Sequence, residues 1–215
     1  MPLSPAAASG FAPPFLAIVV AILLNGQAGI EVDIDSRAID QAVSIARERR
    51  DAVIRTFNDR YVLVPTDPRL ERMEIITEFR RVVLMGRERI MAGNFTWTAY
   101  EMTRLLEPFR GRLSILAHVR FPPQHVLVTV PDYTAALSPT PPGSAGGAPD
   151  SLRSLDVRSG PYYAPGLDEK SIMIGARVEL DFDARALDPN GRYFVTVYEN
   201  KTRLGPVEVR LENVR

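Results

Sequence analysis

The chain has 215 residues, of which 46% are hydrophobic and 24% are charged, a composition typical of a globular protein with one or two packed domains. Its 26 basic and 26 acidic side chains cancel, which argues against functions that need a strong overall field, such as nucleic-acid binding. The sequence has no cysteine, which excludes disulfides, thiol nucleophiles and thiolate metal sites, so stability must come from packing.

The N-terminal region contains an uninterrupted apolar run, FLAIVVAILL, at residues 15–24. A helix of this length measures about 15 Å, about half of a bilayer core, so the run is too short to span a membrane. Gly26 and Ala28 follow with the spacing of a signal-peptidase site. We therefore expect residues 1–28 to be a signal peptide and the protein to be exported to the periplasm or beyond, without an integral membrane span after cleavage. An uncleaved N-terminal membrane anchor is the alternative, because residues 1–12 contain no Lys or Arg.

Helical periodicity in residues 29–110 predicts a helical segment of about three helices. The longest pattern, residues 67–93, predicts one helix capped by its first residue, an aspartate, and followed by proline at the first helical position. A second helix is expected within residues 36–61, with the serine at its start as the cap. Thr98 and Glu101 form a capping box that predicts a third helix.

The pattern then changes to the two-residue period of β-strands. Apolar alternation in residues 113–121 and 126–130 predicts a β-hairpin, which occupies residues 111–134. Residues 135–168 are rich in Pro and Gly and predict a flexible linker. Three further alternating runs in residues 169–215 predict a three-stranded meander. We expect the fold class to be α+β, with the hairpin and meander completing an antiparallel β-sandwich-like module of about five strands.

Three carboxylates, Glu179, Asp181 and Asp183, share one face of the first strand of this meander. Such a set can bind Ca²⁺ or serve as general acid and base in hydrolysis. Arg177 and Arg185 lie on the same face, so a solvated, charge-compensated surface is the simpler interpretation. The sequence contains no phosphate loop, nucleophile elbow or HExxH motif, and we assign no catalytic residue, metal ligand or cofactor from it.

The two histidines, His118 and His125, flank the turn of the predicted hairpin. In that register they are about 13 Å apart along the strands, too far to share a metal ion. Each is therefore interpreted as an isolated, solvated or hydrogen-bonded residue.

A binding surface is predicted on the outward face of the meander. If the Asp-Pro-Asn-Gly turn sets the register, Phe194 and Tyr198 point outward among Asp181, Asp183 and Arg210. Aromatic side chains surrounded by polar ones are typical binding anchors. Coverage of both rings by arginine stems and the helical segment is the alternative.

Together these patterns favour an exported, non-enzymatic protein, a binding or accessory module of the cell envelope. Its expected partner is a protein or a glycan and not a nucleic acid, because the net charge is zero. The alternative is an exported hydrolase or Ca²⁺-binding protein that uses the three carboxylates of the first meander strand.

The signal-peptide hypothesis predicts that the native protein begins near Gly29, because the apolar run fits a cleaved signal and not a span. N-terminal sequencing of protein recovered from its native host measures this directly. Recovery of an intact Met1 in a membrane fraction would show that the segment is an anchor.

Overall fold

The computed structural model describes residues 29–122, 129–143, 151–164 and 172–215, so the predicted signal peptide lies outside the described residues. Within them the chain forms four α-helices and two antiparallel sheets, as expected for the α+β class. The helices are α1 (Ser36–Ala46), α2 (Asp51–Asp59), α3 (Glu78–Met91) and α4 (Ala99–Leu106). The strands are β1 (Val62–Leu63), β2 (Leu70–Ile76), β3 (Arg112–Arg120), β4 (Tyr133–Ser138), β5 (Leu152–Arg153), β6 (Asp156–Ala164), β7 (Ile172–Asp183), β8 (Arg192–Glu199) and β9 (Thr202–Arg210).

The strands form a five-stranded sheet of order β1-β2-β3-β7-β6 and a four-stranded sheet of order β5-β4-β8-β9. Strand β3 lies at the centre of the first sheet, with β2 on one edge and β7 on the other. Alternate residues of each strand point to one side, and these inward residues join a single buried cluster with residues of all four helices. Both sheets and the helices therefore share one hydrophobic core.

The predicted helix over residues 67–93 is wrong in its first half, because residues 70–76 form strand β2. Met73 and Ile75 alternate into the core, and β2 gains hydrogen-bonding partners on both edges, β1 and β3. Helix α3 begins only after Thr77, whose side chain accepts a hydrogen bond from the Arg80 backbone N–H and replaces Asp67 as the cap.

The predicted helix within residues 36–61 is divided into α1 and α2. Its cap is Asp35 and not Ser36, since the Asp35 carboxylate accepts from the backbone of Ala38. Between the helices, the Glu48 carboxylate accepts from the side chain and backbone of Arg50, which lowers the pKa of Glu48 to about 2. The predicted capping box of α4 is confirmed.

The predicted strand pairing of the hairpin and of the meander is wrong. Strand β3 has both edges occupied, so it cannot form a hairpin with the run at 126–130, much of which lies outside the described residues along with His125. Strand β7 belongs to the five-stranded sheet, whereas β8 and β9 belong to the other. The prediction of a linker over residues 135–168 is also wrong where the chain forms β4, β5 and β6. Alternation identifies a strand and its faces but not its neighbours, because every strand has two edges.

Helix α3 packs closely on α1 because Gly86 has no side chain. A Cβ atom there would lie 2.7 Å from the Ala46 Cβ atom and 2.8 Å from the Trp97 ring. The indole of Trp97 is buried, and the guanidinium of Arg47 lies 4.7 Å from the centroid of its ring. Close approach of the two helices therefore requires glycine at this position.

We expect Gly86→Leu to destabilise the protein by about 1–3 kcal/mol, because the added atoms overlap fully buried groups. Urea unfolding of the two proteins measures the difference. The matched control is Gly160→Leu, where a Cβ atom meets no other atom within 4 Å and the stability should change by less than about 0.5 kcal/mol. Equal losses in both variants would contradict this account of the α1–α3 contact.

Candidate functional site

The five predicted binding residues divide between the two sheets. Asp181 and Asp183 lie on β7 in the five-stranded sheet, and Phe194, Tyr198 and Arg210 lie on β8 and β9 in the four-stranded sheet. The expectation that all five form one surface is therefore wrong. Each sheet is accordingly described on its own.

Asp181 is fully buried on the outward side of the five-stranded sheet, not solvated as expected. Ser114 on β3 lies directly opposite and donates a hydrogen bond of 2.5 Å to Oδ1. Arg112 and Arg158 donate to Oδ2 over 3.1 and 3.0 Å. Both carboxylate oxygens therefore have partners, which offsets the cost of burying the charge.

Glu179 extends this cluster toward helix α3. Its Oε1 atom accepts from Arg81 over 2.8 Å and lies 3.2 Å from Arg158, and Arg81 also donates to the Ser114 hydroxyl over 2.6 Å. The Arg81 guanidinium stacks over the ring of Phe109 at 4.0 Å. We call these residues the carboxylate cluster: Arg81, Arg112, Ser114, Arg158, Glu179 and Asp181.

The carboxylate cluster connects the helical and β segments and does not resemble a catalytic centre. Ser114 is fully buried and its hydroxyl is already bonded on both sides, so it cannot act as a nucleophile. Asp183 does not join the cluster, because its side chain accepts from the Arg185 backbone at a 3-10 turn. In the part of the chain that the structure describes, no three His, Asp or Glu side chains are grouped to hold a metal ion.

A second arginine fastens α3 to the same side of this sheet. Arg80 is almost fully buried, donates to the Ile75 carbonyl and pairs with Glu74. Burial raises the pKa of Glu74, but the hydrogen bond and charge of Arg80 outweigh it, and the resulting pKa lies below the ordinary value. Arg80 and Arg81 therefore hold adjacent strands to one helix.

Next to the carboxylate cluster is a shallow cleft of about 220 Å³ lined by residues of β6 and β7, including Arg177. His118 lies opposite Arg177 on β3 and contacts the Tyr162 ring edge-on at 5.5 Å. Partial burial and the positive charge of Arg177 lower the pKa of His118 below its ordinary value. Glu74 and Glu71 are near enough to act on its charge, but among the described residues neither forms the hydrogen bond that would orient a catalytic histidine.

A larger cavity of about 460 Å³ lies between the segment preceding α1 and Arg215. Its acidic side chains already have partners, since Glu31 pairs with Arg215 at 3.1 Å and Asp33 pairs with Arg185 at 2.8 Å. These ion pairs attach the segment before α1 to Arg185 and Arg215. The cavity therefore offers no free carboxylate pair for acid–base chemistry.

The outward side of the four-stranded sheet has a different character. Phe194, Thr196 and Tyr198 project outward from β8, and the rings of Phe194 and Tyr198 are partly exposed. In the observed register Phe194 lies opposite Glu208 and Tyr198 opposite Arg203. The predicted neighbours of these aromatics on β7 are replaced by short side chains of β4, which are Thr134, Ala136 and Ser138.

Among the described residues of the four strands, the charges on this side are four arginines and one carboxylate. Glu208 pairs with Arg192 at 3.0 Å and with Arg210 at 2.5 Å, and the hydrogen bonds to Arg210 and Arg192 lower the pKa of Glu208. Arg192 also lies 5.2 Å from the centroid of the Phe194 ring. We call this surface the aromatic–arginine face, and it consists of Arg153, Arg192, Phe194, Thr196, Tyr198, Arg203, Glu208 and Arg210.

Two arginines of the aromatic–arginine face are not among the binding residues predicted from the sequence. Arg153 lies in the region that the sequence predicts to be a linker, and Arg203 lies at the start of β9, within the predicted meander. Both are exposed, and neither forms an ion pair with another residue that the structure describes. Between them Thr196 is buried, and its hydroxyl has no hydrogen-bonding partner among the described residues.

Comparisons with protein families, with characterised proteins and with solved structures found no match to this chain. Among the residues that the structure describes, no helix combines the length and the apolar character needed to cross a bilayer.

We expect Asp181→Ala to lower the free energy of unfolding by about 1–3 kcal/mol, because the Ser114 hydroxyl loses its buried acceptor. The loss stays below that of a fully buried ion pair because the side chains of Arg112 and Arg158 are 36% and 45% exposed and can turn to solvent. Chemical unfolding provides the measurement.

The control for this variant is Asp156→Ala on the adjacent strand. Its carboxylate is half exposed and 3.9 Å from Arg158, so the change in stability should be less than about 0.5 kcal/mol. If the two variants were equally stable, the carboxylate cluster would not be a structural connection.

Proposed function

We propose that the protein is an exported, non-enzymatic binding protein of the cell envelope, and that it binds its partner with the aromatic–arginine face. The observation that carries the proposal is the pair of partly exposed rings, Phe194 and Tyr198, on a sheet surface where Glu208 is the only carboxylate among the described strand residues. A phenylalanine gains about 1.5–3 kcal/mol when it is fully buried, and a partly exposed one leaves some of this free energy to a bound partner.

The geometry of the sheet supports this assignment. Phe194 and Tyr198 are four residues apart on β8, so their Cα atoms are separated by about 13 Å along the strand. The side chains on β4 beside them are short, which leaves the rings accessible from that side. The arginines around the rings supply the hydrogen-bond donors that give a binding surface its specificity.

The apolar run at residues 15–24 supports export, with the N-terminal anchor as the other route to the envelope. We further infer that the two sheets pack face to face as the β-sandwich-like module. Inward residues of both sheets, among them Leu180 and Val195, belong to the same buried cluster.

An exported hydrolase is the less favoured proposal. It requires carboxylates that can reach a substrate, whereas Asp181 is buried and Glu179 is held by Arg81 and Arg158. Both oxygens of Asp181 accept hydrogen bonds from serine or arginine, so a ligand would have to displace one of these partners to reach this carboxylate.

The proposal predicts that replacing both rings, Phe194→Ser with Tyr198→Ser, lowers binding of the envelope partner at least about 30-fold, the effect of losing a binding hot spot. Retention of envelope glycans and proteins on immobilised protein measures binding, and thermal unfolding measures stability. The matched control is Tyr162→Ser with Tyr163→Ser, because these tyrosines are 37% and 51% exposed on the other sheet.

Lost retention with an unchanged melting temperature is the expected result for the first variant. If the melting temperature fell while the folded fraction kept its retention, the rings would serve packing alone. If the control variant lost retention equally, binding would depend on exposed aromatic side chains in general and not on the aromatic–arginine face.

A further inference from the structure

The four arginines of the aromatic–arginine face are of two kinds. Arg192 and Arg210 share Glu208, so their charges are largely compensated within the protein. Arg153 and Arg203 are exposed and have no carboxylate partner in the described parts of the chain. An unpaired guanidinium presents a planar set of donors that matches a carboxylate. Among the described residues, the face therefore offers two unpaired arginines to negative groups.

The register shows where these two sites lie. Arg203 on β9 is opposite Tyr198, and Arg153 on β5 is opposite Ala136, which is itself opposite Thr196. Three strand spacings separate β5 from β9, which corresponds to about 14 Å across the sheet. Tyr198 lies between the two arginines in this direction. A ligand that reaches both must be extended and must cross the strands over the aromatic ring.

The spacing of charge favours one class of extended ligand. A nucleic-acid strand carries one phosphate about every 3.4 Å in a duplex, and proteins that bind it present a dense basic patch. Here the two arginines that are unpaired among the described residues are widely spaced and do not form a dense basic patch. The chain as a whole has 26 basic and 26 acidic side chains, so no general field compensates.

Carboxylates, which match the donors of a guanidinium, joined by rings that can stack on an aromatic side chain are the chemistry of an acidic polysaccharide. On the basis of the proposed function, we infer that the ligand is a polysaccharide containing uronic acids, with carboxylates on Arg153 and Arg203 and a sugar ring on Tyr198. Glu208 and its two arginines border the site and offer hydrogen-bond partners to sugar hydroxyls.

The test compares two polymers with the same backbone, polygalacturonate and its methyl ester, in which the carboxylates are blocked. Full-length protein should bind polygalacturonate at least about tenfold more tightly than the ester, which corresponds to about 1.4 kcal/mol. The double variant Arg153→Gln with Arg203→Gln should lose this preference. The control, Arg49→Gln with Arg55→Gln, removes the same charge from exposed positions of the helical region and should keep it.

The other outcomes each overturn a distinct statement. If the two polymers bound equally, and the Phe194→Ser, Tyr198→Ser variant lost this binding, the inference of an acidic ligand would be wrong. The proposed binding face would still be supported. Binding that is indifferent to this aromatic variant would overturn the proposed function itself. The inference of a polysaccharide ligand would be wrong if a single-stranded DNA oligonucleotide bound more tightly than polygalacturonate. It would also be wrong if the folded protein did not bind polygalacturonate.

Discussion

The pairing of β3 with β7 is the constraint on which the rest of the structure depends. Nine consecutive residue pairs, from Arg112 opposite Asp183 to Arg120 opposite Gly175, hold the two strands without a register shift. Every inward position of β3 is apolar and almost fully buried, and each faces an equally buried residue of β7. If the pairing slipped by one residue, the side chain of Asp181 would point into the hydrophobic core. A carboxylate there would have no hydrogen-bonding partner, so this arrangement would be very unfavourable.

This register also determines how the helical part is attached. Ser114 and Asp181 meet on the outward side, where Arg81 of α3 and Arg158 of β6 can reach them. At the start of α3, the buried carboxylate of Glu78 accepts backbone N–H bonds from residues 33, 34 and 111. Helix α3 is thus tied by charge-assisted hydrogen bonds to the segment before α1 and to the start of β3.

The two sheets differ in what their outward sides can do. On the five-stranded sheet, arginines and carboxylates pair with one another beneath α3, so most of the polar groups there are occupied. On the four-stranded sheet, short β4 side chains leave two aromatic rings partly exposed, and two arginines remain unpaired among the described residues. Groups that are not already satisfied within the protein contribute most to binding energy, which is why we propose the second surface as the binding site.

The sequence by itself determined the features that depend on neighbouring residues. The capping box of Thr98 and Glu101, the alternation within β3 and β7 and the outward direction of Phe194 and Tyr198 all follow from local spacing. Residues 70–76 were misassigned because apolar positions in so short a run fit both periods, and partners on both edges decided in favour of a strand. The neighbours of each strand, the burial of Asp181 and the free arginines at 153 and 203 were decided only by the tertiary structure. They depend on which strand edges meet across long stretches of chain, and a single strand carries no information about its partner.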